Sequence, residues 1–214
     1  MAPIDLLKLY WDGGPFRISL QHPGHLPNNL AKTAIAILEE FRSDCQSQYC
    51  AFSGAVNGRA LAYQEFKRSI VSRKRTLFVG NAPPDAEQRP GKSTIVQISQ
   101  GDFLDGLSSG GKFEDLNGKA FIVMVYHRWD EHFRHLIGRT LSVPKKRVQC
   151  DLMGDVRQVR NVIIHHSSVM SRTTKKKLTL LPQIWDLPIG PLHISEKMLH
   201  SLMEQINAIH VKVV

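Results

Sequence analysis

The stretch VRQVRNVIIHHSSVMSR, residues 156–172, sets Arg160 and Asn161 one helical turn before a His165–His166 pair in an otherwise apolar run. A guanidinium binds phosphate oxygens in bidentate fashion and stabilises negative charge as it develops. An imidazole, which titrates near ~6.5 in isolation, accepts or donates a proton at neutral pH. An amide orients either group. Together these groups suit chemistry on a phosphate ester, and a helix that only fills a core has no use for them. The purely structural alternative makes Arg160 and His165 members of a buried hydrogen-bond network.

On a helix turning about 100° per residue, Val156, Val159 and Ile163 gather on one side and form the expected core stripe. Arg157, Arg160, Asn161, Ile164 and His165 fall on an adjoining arc. Asn161 and His165, at i and i+4, are neighbours, and the long Arg160 side chain reaches them from the other edge of the arc. His166 points about 100° away from His165 and reads as support or surface. Ile164 is an apolar residue inside a polar arc, which points to a second surface packing there.

The pattern Arg160-Asn161-x-x-x-His165 resembles the R-(N/H/D)-x-x-x-H signature of the HEPN family, the higher eukaryotes and prokaryotes nucleotide-binding domains. The resemblance covers residues 119–168 and extends to the closing helix. It implies a dimeric helical bundle, no cofactor and no metal. It also implies endoribonuclease activity of the kind found in toxin–antitoxin and phage-defence systems, with RNA and an antitoxin or defence protein as partners. By that resemblance Arg160, Asn161 and His165 are the catalytic residues, and Arg157, His166, Lys145, Lys146 and Arg147 support them or bind RNA. Some members carry a tyrosine two residues after the histidine, where this chain has Ser167. A non-catalytic HEPN-like domain that binds nucleotide, RNA or a protein is the alternative, since fold alone does not settle activity.

Two other motifs compete for attention. His127, Glu131 and His135 stand at i, i+4 and i+8, open in principle to a metal, but neither helical zinc-protease spacing is met. RPGKST, residues 89–94, looks like the tail of a phosphate-binding loop. The glycine that the full pattern needs is Ala86, and the residues before it are polar and proline-rich, so a plain loop is expected.

The rest of the chain must position these groups. Its 214 residues suffice for a real core, and 42% hydrophobic against 22% charged residues indicates a folded domain. The net charge of +9 favours a polyanion such as nucleic acid. Three cysteines (Cys45, Cys50 and Cys150) make an odd number without zinc spacing, which reads as reduced thiols in a cytoplasmic protein. No signal peptide and no run of ~20 apolar residues is visible, so no membrane partner is expected.

Helical periodicity places helices near 28–48, 57–74, 119–143, 150–167 and 195–210, the last capped by Ser195. Residues 94–99 either alternate as a short strand or lead into the weak helix QGDFLDGLSS, 80–94 and 108–118 read as loops, and a short hairpin is expected around DLPIGP. The expected fold is mainly all-α: one domain over 1–214, a HEPN-like bundle with one or two short β-strand pairs. Its core is best matched over 119–210, with the N-terminal helices of 26–75 packed on it.

Overall fold

The computed structural model describes residues 8–9, 17–20, 28–80 and 94–214. Most of residues 1–27, and the phosphate-loop-like motif apart from Thr94, lie outside the described residues. In chain order the elements are β1 (Lys8–Leu9), β2 (Arg17–Leu20), α1 (Asn28–Ser69), β3 (Thr76–Gly80), β4 (Thr94–Ser99), α2 (Gln100–Leu107) and α3 (Lys112–Arg128). A π-helical turn (Trp129–Phe133), α4 (Arg134–Thr140), a 3₁₀ turn (Lys145–Arg147), β5 (Val148–Gln149), α5 (Asp151–His165) and β6 (Val169–Met170) follow. The chain closes with α6 (Arg172–Lys175), α7 (Leu181–Ile184), β7 (Gly190–Pro191), α8 (Glu196–Asn207) and β8 (His210–Val213). The described chain is mainly helical, as its periodicity indicates, and it groups into two compact units. The larger holds Asn117–Val214 with the described residues up to Phe52, and the smaller is Ser53–Leu116.

Where two N-terminal helices were expected, α1 is a single helix of 42 residues. Gly54 and Gly58 fall within it, and a helix tolerates isolated glycines at about 1 kcal/mol each. Phe52 and Val56, one turn apart, are both buried, and that burial outweighs the glycine cost.

In the larger unit Phe41 of α1 packs its ring 5.3 Å from that of Trp129 and 5.1 Å from that of Phe133. Phe121, Val125, Trp129, Phe133 and Ile137 are all buried, a strict four-residue repeat. Four residues overshoot an α-helical turn by about 40°, so the stripe would drift off the core. The π turn at Trp129–Phe133 takes in an extra residue and returns the stripe to its face. The helix expected to start at 119 starts at Lys112 instead, so most of the expected 108–118 loop is helical. Gly118 belongs in that helix because a Cβ there would lie 2.7 Å from Ile194 Cγ2.

Strand content exceeds the one or two pairs expected. The larger unit has a four-stranded sheet in the order β1-β2-β8-β5, parallel between β2 and β8 and antiparallel elsewhere. The closing helix expected to reach 210 ends at Asn207, and HVKV becomes β8, burying Val211 and Val213 on alternate positions. Ser195 caps α8 as expected, its hydroxyl accepting from the Met198 amide. The hairpin expected within DLPIGP is instead a pairing of β7 with the distant β6. Gly190, at φ 118°, turns the chain into that contact.

In the smaller unit β3 and β4 form an antiparallel pair with Leu77 opposite Ile98. Arg59 donates to the carbonyls of Leu107 and Ser108 and to the buried Glu114 carboxylate, 3.1 Å away. The Phe103 ring meets Phe66 edge-on at 5.1 Å and lies tilted 5.7 Å from Phe113. Among the described residues no helix is long and apolar enough to cross a membrane.

Candidate active site

Helix α5 runs from Asp151 to His165 and is amphipathic. It buries Leu152, Met153, Val156, Val159 and Val162. Val162 therefore takes the core place expected for Ile163, which is half-buried. The helix ends at His165: the His166 amide still donates to the Val162 carbonyl, and Ser167 and Ser168 adopt φ values of 50° and 60°. His166 is thus a cap residue outside the helix rather than its last turn.

The polar arc of α5 is assembled as a cluster. The Arg160 Nη1 donates to Asn161 Oδ1 at 3.1 Å and lies 3.4 Å from His165 Nε2. The second distance is at the long end of hydrogen bonding. A guanidinium can only donate, so this contact requires an unprotonated Nε2. The contact sets the His165 ring beside the Arg160 guanidinium. Ile164 is 45% exposed next to them.

The helix facing this arc is α3 with its π turn. Val123, Tyr126, His127, Asp130 and Glu131 share one face and, with Arg157, Arg160, Asn161 and His165, line an open pocket of ≈ 490 Å³. Asp130 is bound by Arg134 at 2.9 Å and by Lys145 at 2.8 Å, and Glu131 lies 3.6 Å from the same ammonium. Burial alone would raise the Asp130 carboxyl, but the hydrogen bonds and charges of Lys145 and Arg134 prevail and hold it below its ordinary value. Burial, with the Asp130 charge adding to it, pushes the Tyr126 phenol above its ordinary value. At neutral pH Asp130 is an anion and Tyr126 a neutral hydroxyl.

The structure therefore brings Arg157, Arg160, Asn161 and His165 to one cavity. Lys145 stands behind Asp130 and Glu131, its charge already matched. Lys146 and Arg147 are exposed and His166 is exposed, and none of the three lines this pocket. Sequence reasoning passed over Tyr126 and Asp130, which sit one turn apart on the helical face that also carries His127 and Glu131. The metal face of His127, Glu131 and His135 does not form. Among the described residues no group of three or more His, Cys, Asp or Glu side chains could hold a metal. The π turn changes the helical register between Glu131 and His135, and only His127 and Glu131 reach the pocket.

The buried cysteines offer no nucleophile. Burial pushes the Cys150 thiol up to about 12 and the Cys45 thiol further still, so both are protonated at neutral pH. Compared with known protein families, characterised proteins and solved structures, the chain matches none.

Proposed function

We propose that the chain is a HEPN-type, metal-independent endoribonuclease in which Arg160, Asn161 and His165 act on a phosphodiester. The observation that carries the reading is the convergence of these three side chains on an open pocket, with the Arg160 guanidinium 3.4 Å from the His165 ring. RNA supplies its own nucleophile, the 2′-hydroxyl. His165 removes the hydroxyl proton, the 2′ oxygen bonds to phosphorus, and the bond from phosphorus to the 5′ oxygen breaks. Arg160 holds the phosphoryl oxygens as their charge grows, and Asn161 fixes the guanidinium. The leaving 5′ oxygen takes a proton from a second acid. His127 lines the same pocket and supplies that imidazole within one chain.

The test is incubation of the purified chain with mixed RNA in EDTA, followed by end-group analysis. The expected products carry 2′,3′-cyclic phosphate and 5′-hydroxyl ends. Cleavage only after a divalent metal is added, or no cleavage at all, defeats the reading. The second reading, a non-catalytic RNA-, nucleotide- or protein-binding domain, draws support from Arg157 and Arg160 in the pocket lining, which can hold a phosphate whether or not it is cleaved. RNA binding without cleavage would favour it. A toxin or defence role, with an antitoxin or defence protein as partner, belongs to the HEPN reading and stands with it.

The same reading includes a homodimer, with Ile164 beside the twofold axis. Its exposed apolar surface next to the catalytic arc is the motivation. Light scattering at high concentration is expected to give twice 24.2 kDa, and a mass of 24.2 kDa counts against it.

A further inference from the structure

The face of α5 that carries Asn161 and His165 continues back through Arg157 and Gln158 to Gly154, at steps of three or four residues. Gly154 and Arg157 open on a second pocket, ≈ 390 Å³, whose walls include Tyr126, Trp129, Gln149 and Gln158. Tyr126 and Arg157 also line the ≈ 490 Å³ pocket of Arg160 and His165, so the two cavities share a wall.

Gly154 is the residue that calls for an explanation. A glycine inside a helix weakens it relative to alanine. At Gly118 the close approach of Ile194 accounts for the glycine. At Gly154 nothing lies within 4 Å of where a Cβ would stand, and its φ is not positive. Neither packing nor backbone conformation demands glycine there. A side chain at 154 would instead take up room in the cavity. Gly54 and Gly58 are equally open but line neither pocket.

We propose that this second pocket is a nucleobase subsite for single-stranded RNA. It takes the base of a nucleotide next to the phosphate held by Arg160, and Arg157 on the shared wall meets the intervening backbone. The position of that phosphate rests on the nuclease reading. A volume of ≈ 390 Å³ falls in the range of small-ligand sites. Tyr126 offers a ring for stacking, and the amides of Gln149 and Gln158 can each donate and accept along a base edge. The two carboxylates in the lining are already engaged: Asp155 accepts from the main-chain amides of Thr179, Leu180 and Leu181, and Asp151 pairs with Lys212. Gly154 and Asn161 are separated by roughly 10 Å at 1.5 Å per residue, the reach of an extended nucleotide or two. A base must leave its stack to enter such a cavity, which excludes duplex RNA.

The test is binding, measured by fluorescence anisotropy with uncleavable 2′-O-methyl hexamers of each base and an abasic hexamer of the same backbone. The wild-type chain is expected to bind at least one base-bearing hexamer about tenfold or more tighter than the abasic one. Gly154→Leu should reduce that affinity to the abasic level and leave abasic binding unchanged. Gly154→Ala, which a helix accepts best, should give a smaller loss in the same direction, so the test does not depend on the leucine variant folding. Equal binding of all hexamers by the wild type, binding of none, or a base preference that survives Gly154→Leu each overturns the proposal. RNA cleavage measured in parallel separates the two ideas. Cleavage in EDTA without base preference leaves the nuclease and removes the subsite. Base preference without cleavage removes the nuclease and leaves a nucleotide-binding pocket.

Discussion

On the nuclease reading, His165→Ala and Arg160→Ala are each expected to abolish RNA cleavage in EDTA while leaving the protein folded. A positioned proton-transfer group supplies roughly 10²–10⁴-fold in rate, and a charge-stabilising donor contributes a comparable factor. His165 is exposed, and the hydrogen-bond contacts of the Arg160 side chain are with Asn161 and His165. Neither side chain supports the core, so truncation should change unfolding stability by no more than about 1 kcal/mol. The measurements are initial rates on a labelled RNA and urea unfolding of the same preparations. Arg160→Lys should restore little, because an ammonium cannot reproduce the bidentate grip of a guanidinium. His166→Ala is expected to lose little activity, since His166 caps the helix and does not line the pocket. A His166→Ala variant as inactive as His165→Ala would show that the wrong imidazole has been placed in the site. Full activity in Arg160→Ala would remove the guanidinium from the mechanism.

Asp155→Ala should cost the larger unit about 3 kcal/mol or more of stability, since hydrogen bonds to a charged acceptor contribute about 1.5–3 kcal/mol each and several are lost together. Asp155 is only 2% exposed and carries no opposite charge in its hydrogen bonds. Instead its carboxylate accepts from the amides of Thr179 at 2.9 Å, Leu180 at 2.7 Å and Leu181 at 2.9 Å, and from the Thr179 hydroxyl at 3.3 Å. It acts as an N-terminal cap for α7 supplied from a different helix. Alanine would leave the amides of Thr179, Leu180 and the buried Leu181 without this acceptor. Asp155→Asn keeps one acceptor oxygen and should fall between the two. Guanidinium unfolding followed by circular dichroism checks both variants. A loss below about 1 kcal/mol for Asp155→Ala would mean that water replaces the carboxylate and that the cap contributes little.

Both predictions concern α5, and they differ in how far they could be read from the chain alone. The proposed catalytic cluster is local. Arg160, Asn161 and His165 lie within six consecutive residues, and helical spacing alone places them on one arc away from Val156 and Val159. The Ser195 cap, the strand at 94–99 and the helix that follows it are local in the same sense, each set by side chains within a few residues of the backbone they organise. The Asp155 cap is not local. An aspartate in an apolar-periodic helix looks like surface until residues 179–181, more than 20 positions later, bring their amides to it.

The remaining departures have the same origin. β8 became a strand because β2 and β5 lie on either side of it, pairings that join residues 17–20 and 148–149 to the C-terminal segment. The continuity of α1 depends on what buries Phe52 and Val56. The π turn at Trp129–Phe133 arises because a four-residue apolar repeat must stay on one core face, and a regular helix cannot keep it there. Residue types and short spacing determined the chemistry that α5 can offer. Only the packing of α3 and its π turn across from α5 decided that Tyr126, His127 and Asp130 share its pocket, because such contacts join groups whose proximity no local periodicity encodes.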